Sequence, residues 1–188
     1  MRKKLLELIN QLEVQIYEPL YNQKYYDKGH WDYVSYSHDN FIQDLKQAYH
    51  FLGEAENLKF IDIGCGIGTK VLIASQFFQA SGIELNQNYF KIARKVNAHK
   101  KFHKFGRYEK LGTKNNIING DAFEHDYSKY DVLYFFRPMN KEQLQIRLEK
   151  KIFKEMKVGA VIIPIYHQSE FPDYIQKVRQ TKNLYVKK

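Results

Sequence analysis

Three observations predict an α/β fold built on a mostly parallel sheet. The apolar run Phe60-Ile61-Asp62-Ile63 ends in glycines at 64, 66 and 68. Short apolar, strand-like runs then alternate with helical stretches as far as residue 166. At the end of the chain, Tyr174 to Val178 and Leu184 to Val186 flank Thr181-Lys182-Asn183. Strands separated by helices imply parallel neighbours joined by right-handed crossovers. Two short runs around a turn read as a terminal antiparallel hairpin, with a helix over 171–180 as the alternative. At 188 residues the chain is one domain of ordinary size.

The elements follow in order. Leu5, Ile9, Leu12, Ile16 and Leu20 recur at three-to-four spacing, which marks an amphipathic helix that stops near Pro19. An aromatic stretch follows, with Tyr17, Tyr21, Tyr25, Tyr26, Trp31, Tyr33 and Tyr36. Residues 39–52 read as a helix capped by Ser37 or Asp39. The core is then a strand over 58–63, a helix over 68–79, a strand over 80–84 and a helix over 87–100. A basic loop over 101–115 leads to strands over 116–119 and 131–136, a helix over 140–156 and a strand over 159–166. No linker separates the beginning of the chain from the rest. Residues 1–38 are therefore read as a helical and aromatic cap on the same domain, and 39–188 as its core. The apolar stripe of the first helix needs a partner surface, and the cleft side of the sheet supplies one.

Composition narrows the classes. An apolar content of 44% suits a globular protein, and no run approaches the length of a membrane span. Met1-Arg2-Lys3-Lys4 before Leu5-Leu6 resembles the start of a signal peptide, but Glu7, Asn10, Gln11 and Glu13 interrupt it. A single cysteine excludes an internal disulfide and fits a reducing compartment, so a cytoplasmic location with no membrane partner is expected. The net charge is +9, and residues 99–114 hold much of it: Lys100, Lys101, Lys104, Arg107, Lys110 and Lys114 against Glu109. The basic 100–114 segment is either a solvated face, a nucleic-acid contact, or an attractor of acidic proteins or metabolites.

The glycine turn carries the chemistry. A strand closing into glycines lets backbone approach a ligand where a Cβ would clash, and the following helix presents its N–H groups and positive dipole end. Glu84 lies 22 residues after Asp62, where a second parallel strand delivers a carboxylate to ribose hydroxyls. An adenosine-containing cofactor is implied. The nicotinamide fingerprint is G-x-G-x-x-G, and its third glycine would fall at Thr69. That mismatch, with no obvious catalytic partner for hydride transfer, disfavours a dehydrogenase.

The pattern Asp62-x-Gly64-x-Gly66-x-Gly68 resembles motif I of the class I S-adenosylmethionine (SAM) dependent methyltransferases. Ile83-Glu84-Leu85-Asn86 is similar to their motif II, Asn119-Gly120-Asp121-Ala122 to motif III, Tyr130-Asp131-Val132-Leu133-Tyr134 to motif IV, and Leu148 to Pro164 to the motif V region. The likeness covers residues 40–165 in order. It implies a single Rossmann-like domain with a seven-stranded sheet, helices on both faces and a terminal hairpin. It also implies SAM as cofactor and methyl transfer as activity. Asp62 would face the methionine moiety, Gly64, Gly66 and Gly68 would pass beneath it and the ribose, and Glu84 would take both ribose hydroxyls, with Leu85 beside it. Asp121 would accept from the adenine amino group, while Ala122 and Phe123 would supply an N–H and a ring wall.

The acceptor is less legible. In-line methyl transfer needs a positioned nucleophile and sometimes a proton acceptor. The segment Phe135-Phe136-Arg137-Pro138-Met139-Asn140 lies where these enzymes place the acceptor, and lacks the Asn/Asp-Pro-Pro-aromatic motif of DNA and glutamine amino-methyltransferases. A lone Asp131 builds no Lys-Asp-Lys-Glu set of the RNA 2′-O enzymes, and Cys65 sits in the glycine turn as a packing residue, not a base C5 nucleophile. Arg137 is the candidate for holding an anionic substrate group, or else an ion-pair residue. Pro138 after it predicts extended backbone there. Tyr36 and His38, on the approach to the first core helix, either position substrate and accept a proton or pack under the N-terminal helix. Trp31 is a packing anchor or a substrate platform. His99, His103 and His125 lack metal-ligand spacing, so no structural metal is expected. Val161-Ile162-Ile163-Pro164 is somewhat similar to protein carboxyl methyltransferases of the isoaspartyl type, without their full pattern. The acceptor expected is a small molecule or protein side chain, with RNA or DNA, or a non-catalytic SAM-binding module, as alternatives.

Overall fold

The computed structural model describes residues 36–98 and 116–188, together with Leu6, Glu7, Ile9 and Gln11. The expectations for the rest of the cap, including Trp31 and Tyr33, and for the basic 100–114 segment lie outside the described residues.

Seven strands form one sheet: β1 (Lys59–Ile63), β2 (Gln79–Glu84), β3 (Asn116–Asn119), β4 (Val132–Phe136), β5 (Val161–Ile165), β6 (Ile175–Lys177) and β7 (Tyr185–Lys187). Their spatial order is β3-β2-β1-β4-β5-β7-β6. The first five are parallel, while β7 runs antiparallel to both β5 and β6. The tail is therefore the hairpin, and the helix over 171–180 is not formed. Within the continuously described residues, four helices accompany the sheet: α1 (His38–Phe51), α2 (Thr69–Ala74), α3 (Gln87–Asn97) and α4 (Glu142–Glu155).

Period-2 alternation sorts the strands between two cores. Phe60, Val132, Tyr134, Val161 and Ile163 face α1, α2 and α3, joining Phe41, Leu45, Val71, Leu72 and Val96. Ile61, Ile63, Leu133, Phe135 and Ile162 face α4 and the 120–131 connection, joining Leu148, Ile152, Phe153 and Tyr127. Each such ring or branched side chain taken out of water stabilises the fold by about 1.5–3 kcal/mol. Ile9 is fully buried in the first of these cores.

Two elements differ from expectation. α2 stops at Ala74, not at 79. The Ser75 hydroxyl donates to the Leu72 carbonyl at 2.7 Å, competing with the helix ladder. The chain then turns Phe78 inward, where it stacks on Phe60 with ring centroids 6.0 Å apart. Arg137 is not extended: its φ is +36°. Its N–H still donates to the Ile165 carbonyl at 3.3 Å, and the chain then swings so that Pro138 lies over the glycine turn.

Candidate active site

The site is built where the parallel strands end. After β1 the chain turns against β2: Gly64 and Cys65 both donate backbone N–H groups to the Ile83 carbonyl, at 2.9 and 3.0 Å. Gly64 and Gly68 have φ of +76° and +77°, in the left-handed region that favours glycine. Space forbids side chains as well. A Cβ on Gly64 would stand 2.7 Å from Pro138 Cβ, and one on Gly68 would stand 2.5 Å from Asn97 Nδ2. Gly66, between them, has φ of +54°. In β2, Gly82 has no side chain because Val71 Cγ2 and Cys65 Sγ occupy the space, at 2.7 and 2.8 Å from where its Cβ would be. Cys65 is buried there, and burial pushes its thiol well above the ordinary range; it packs rather than attacks.

Glu84, the last residue of β2, is held by two backbone groups. Its Oε2 accepts the Gly66 N–H at 2.9 Å and its Oε1 accepts the Asn86 N–H at 2.7 Å. Two such bonds orient a carboxylate that accepts up to about four. Asn86 caps α3, its side chain accepting from the Asn88 and Tyr89 N–H groups. Leu85 beside it is 59% exposed, an apolar surface presented at the strand edge. Asn119, ending β3, donates its side-chain amide to the Glu84 and Leu85 carbonyls at 2.9 and 3.2 Å. Asp121 follows; its Oδ1 accepts the Phe123 N–H at 2.8 Å, while the buried Ala122 offers its carbonyl to Tyr127 Oη at 2.7 Å. Arg147 lies over the Phe123 ring. The ends of β1, β2 and β3 thus carry Asp62, Gly64, Gly66, Gly68, Glu84, Leu85, Asp121 and Ala122 along one edge.

Asp62 is buried in β1 between Gly82 and Tyr134. Burial pushes its carboxyl up to about 8; the Lys70 charge lowers it and Glu84 raises it. Lys70, also buried, donates to the Tyr36 carbonyl, lies 2.6 Å from His38 Nδ1 and sits over the Phe41 ring. The Tyr36 hydroxyl donates to Asp44 Oδ2 at 2.9 Å and accepts from Asn183 Nδ2 at 2.9 Å. Burial and the Asp44 carboxylate raise the Tyr36 phenol well above its usual range.

On the β4 and β5 side, Phe136 tilts against Tyr36 at 6.3 Å and meets Tyr166 edge-on at 5.4 Å. Tyr166 is 66% exposed, with φ of +56°. In register it follows Ile165 as Arg137 follows Phe136. Two non-glycine residues thus sit side by side in strained backbone at the cleft end of the sheet. A fully buried carboxylate, Glu149 of α4, binds the chain following Tyr166. It accepts from Gln145 Nε2 at 2.8 Å, the Gln168 N–H at 2.9 Å, the Ser169 N–H at 2.6 Å and the Ser169 hydroxyl at 2.6 Å. Gln145 Oε1 in turn accepts the Met139 N–H at 3.0 Å. The loops after β4 and β5 are thereby tied to one helix.

Sequence reasoning missed Lys70, Asp44, Glu149, Tyr166 and Asn183. For three of them a signal exists: Lys70, Asp44 and Glu149 are charged residues within runs that bury their apolar neighbours, and burial of a charge demands partners. Tyr166 and Asn183 carry no such mark.

The family model described as histone methylation protein DOT1 matches residues 34–183. A sterol 24-C-methyltransferase of Debaryomyces hansenii is 26% identical over 132 residues, covering 67% of this chain and 33% of that protein. The chain thus spans about a third of the length of the curated relatives it matches. An RNA methyltransferase from Salinibacter ruber, solved with S-adenosyl-L-homocysteine, shares the fold with TM-score 0.50 and 18% identity, covering 82% of this chain and 91% of that one. An S-adenosylmethionine-dependent methyltransferase from Clostridium acetobutylicum shares it with TM-score 0.52 and 14% identity, over 82% and 56% of the two chains. With the sheet order and the motif I to V residues in place, the chain belongs to the histone methylation protein DOT1 family, within the class I methyltransferase fold.

Proposed function

We propose that this chain transfers the methyl group of SAM to a side chain of a protein acceptor. The observation that carries the reading is the Glu84 carboxylate, gripped by the Gly66 and Asn86 N–H groups beside a turn too tight for side chains. This donor set fits the group. An acceptor-only carboxylate suits a ribose diol, the glycine turn gives backbone approach to the methionine end, and Leu85, Asp121, Ala122 and Phe123 suit an adenine ring. When bound, SAM would supply a methyl carbon activated by its sulfonium, open to in-line displacement by an acceptor's lone pair with the carbon–sulfur pair departing on sulfur.

The protein's residues position and enclose. Asp62 sets a buried carboxyl, with hydrogen-bonding capacity, at the methionine end. Arg137 holds an anionic part of the acceptor, at the carboxyl end of β4 where open α/β sheets bind ligands. Phe136 and Tyr166 exclude water beside it. Tyr36 acts through its ring and carbonyl, since its hydroxyl is engaged by Asp44 and Asn183, and His38 follows two residues on, as the first residue of α1. The family description favours a protein side chain as acceptor. The relatives described as sterol 24-C-methyltransferases favour a small molecule as the second reading.

The test is transfer of label from methyl-labelled SAM to three separate acceptors: purified histone protein, ergosterol precursors and total RNA. Label in histone, lost in Arg137→Ala at unchanged SAM affinity, supports the proposal. Label in the sterol fraction alone moves the acceptor to the second reading. Label in RNA alone, weakening as salt rises, assigns the basic 100–114 segment a nucleic-acid role instead.

A further inference from the structure

Lys70 is the least expected residue of the site. It follows Thr69 at the start of α2, ahead of Val71-Leu72-Ile73-Ala74, and only 6% of its surface is exposed. A buried ammonium is costly unless its protons find acceptors. An ammonium has three donors and no acceptor, and two acceptors lie at hydrogen-bond distance from it. The Tyr36 carbonyl precedes α1, and His38 Nδ1, at 2.6 Å, belongs to the first residue of that helix. The Asp62 carboxyl in β1 feels the Lys70 charge, and the Phe41 ring lies 5.3 Å away. Glu84 is the other charged group acting on Asp62.

We propose that Lys70 is a positioning residue: its ammonium latches Tyr36 and His38 onto α2, the helix that follows the glycine turn, and fixes His38 with its ring proton on Nε2. The tautomer follows from the contact, because a donor at Nδ1 requires a lone pair there and leaves the N–H to Nε2. The latch follows from connectivity. One side chain of α2 reaches both Tyr36 and His38, 34 and 32 residues before it in sequence, while its charge acts on the acid that precedes the glycine turn. This rests on the reading that Asp62 belongs to the cofactor site. Cofactor held at Asp62 and closure of the Tyr36–His38 segment are then joined through Lys70, and His38 serves as a hydrogen-bond donor rather than as the proton acceptor.

The test uses the full chain, Lys70→Met, which keeps the stem against Phe41, and Lys70→Arg, which restores donors. Three readouts are taken: imidazole nitrogen shifts of His38, amide exchange of Phe41, whose N–H bonds the Ser37 carbonyl at 2.9 Å, and affinity for S-adenosylhomocysteine. The wild type is expected to show the Nε2–H tautomer without cofactor. Lys70→Met is expected to lose that fixed signature and to exchange Phe41 at least about tenfold faster, a local opening. It is also expected to bind S-adenosylhomocysteine about tenfold more weakly, with Lys70→Arg recovering Phe41 protection. An Nδ1–H tautomer in the wild type overturns the proposal, as does a folded Lys70→Met with unchanged exchange and affinity. Should Lys70→Met fail to fold, the wild-type tautomer and Lys70→Arg decide. A wild type that binds no S-adenosylhomocysteine sinks the cofactor reading instead, while the tautomer and exchange, measured without cofactor, still judge Lys70.

Discussion

On the β1–β2–β3 side of the cleft, the Glu84 and Asp121 carboxylates are oriented by backbone N–H groups. Glu84 is oriented by N–H groups 2 and 18 residues away, and Asp121 by one 2 residues away. On the β4–β5 side the fixing is done by side chains distant in sequence. Ser169 reaches Glu149 across 20 residues, and Asn183 reaches Asp44 across 139 and Tyr36 across 147. The first half is a local device that a short motif encodes. The second is a network that exists only once the sheet has formed, and its failure should cost stability before it costs cofactor binding.

Glu149→Ala should break this contrast most visibly. It strands the Gln145 amide, the Gln168 and Ser169 N–H groups and the Ser169 hydroxyl. A loss of about 3–5 kcal/mol in urea unfolding is expected from such orphaned buried groups, with the cofactor affinity of the remaining folded protein little changed. A loss under about 1 kcal/mol would mean that water or another donor replaces the network.

Gly64→Ala should act on the other half. It places a Cβ where φ is +76° and where Pro138 Cβ would stand 2.7 Å away. Backbone strain of about 1–3 kcal/mol is expected, and here the cofactor affinity falls as well, because Pro138 must move off the turn. Unchanged affinity by calorimetry would remove Gly64 from the binding surface.

Asp62 joins the halves through pH. Burial pushes its folded carboxyl up to about 8 from an ordinary 3.8. A raised pKa means that the folded state holds a proton the unfolded chain gives up earlier. Its contribution to stability is therefore full below the unfolded value and is lost as pH rises toward 8. Cofactor-free protein should have a higher urea midpoint at pH 5.5 than at pH 8.5, conditions of about one charge state each for this group. Asp62→Asn should flatten that slope, and an undiminished slope in the variant would assign it to other groups.

The smallest effect belongs to Tyr36→Phe, which removes one hydroxyl from between Asp44 and Asn183. About 1 kcal/mol of stability is expected to go, with SAM affinity retained because the carbonyl that Lys70 uses remains. A large loss of affinity at unchanged stability would instead return the phenol to the chemistry.

The same contrast explains what could be read from the residues alone. The strands, their order of appearance, the terminal hairpin and the run Asp62 to Glu84 were legible, because periodicity and glycine spacing are local and glycine at Gly64 answers to one backbone conformation. The sharp end of α2 was not: beyond it the chain turns Phe78 onto Phe60, a contact between residues 18 apart on one face of the sheet. Nor was the conformation of Arg137: the proline after it disfavours helix, but the chain takes a left-handed turn that sets Pro138 close to Gly64 in place of an extended one. Glu149 and Asn183 escaped because a polar residue's partners, some of them residues far along the chain, cannot be inferred from its neighbours.

The central claim is that the glycine turn and Glu84 hold an adenosine cofactor, and calorimetric titration of SAM and of NAD into wild type and Glu84→Ala tests it most directly. Wild type is expected to bind SAM and not NAD, and Glu84→Ala to weaken SAM by roughly 1.5–3 kcal/mol, the scale of charged hydrogen bonds lost. Binding of NAD without SAM, or a Glu84→Ala affinity equal to that of wild type, would contradict it.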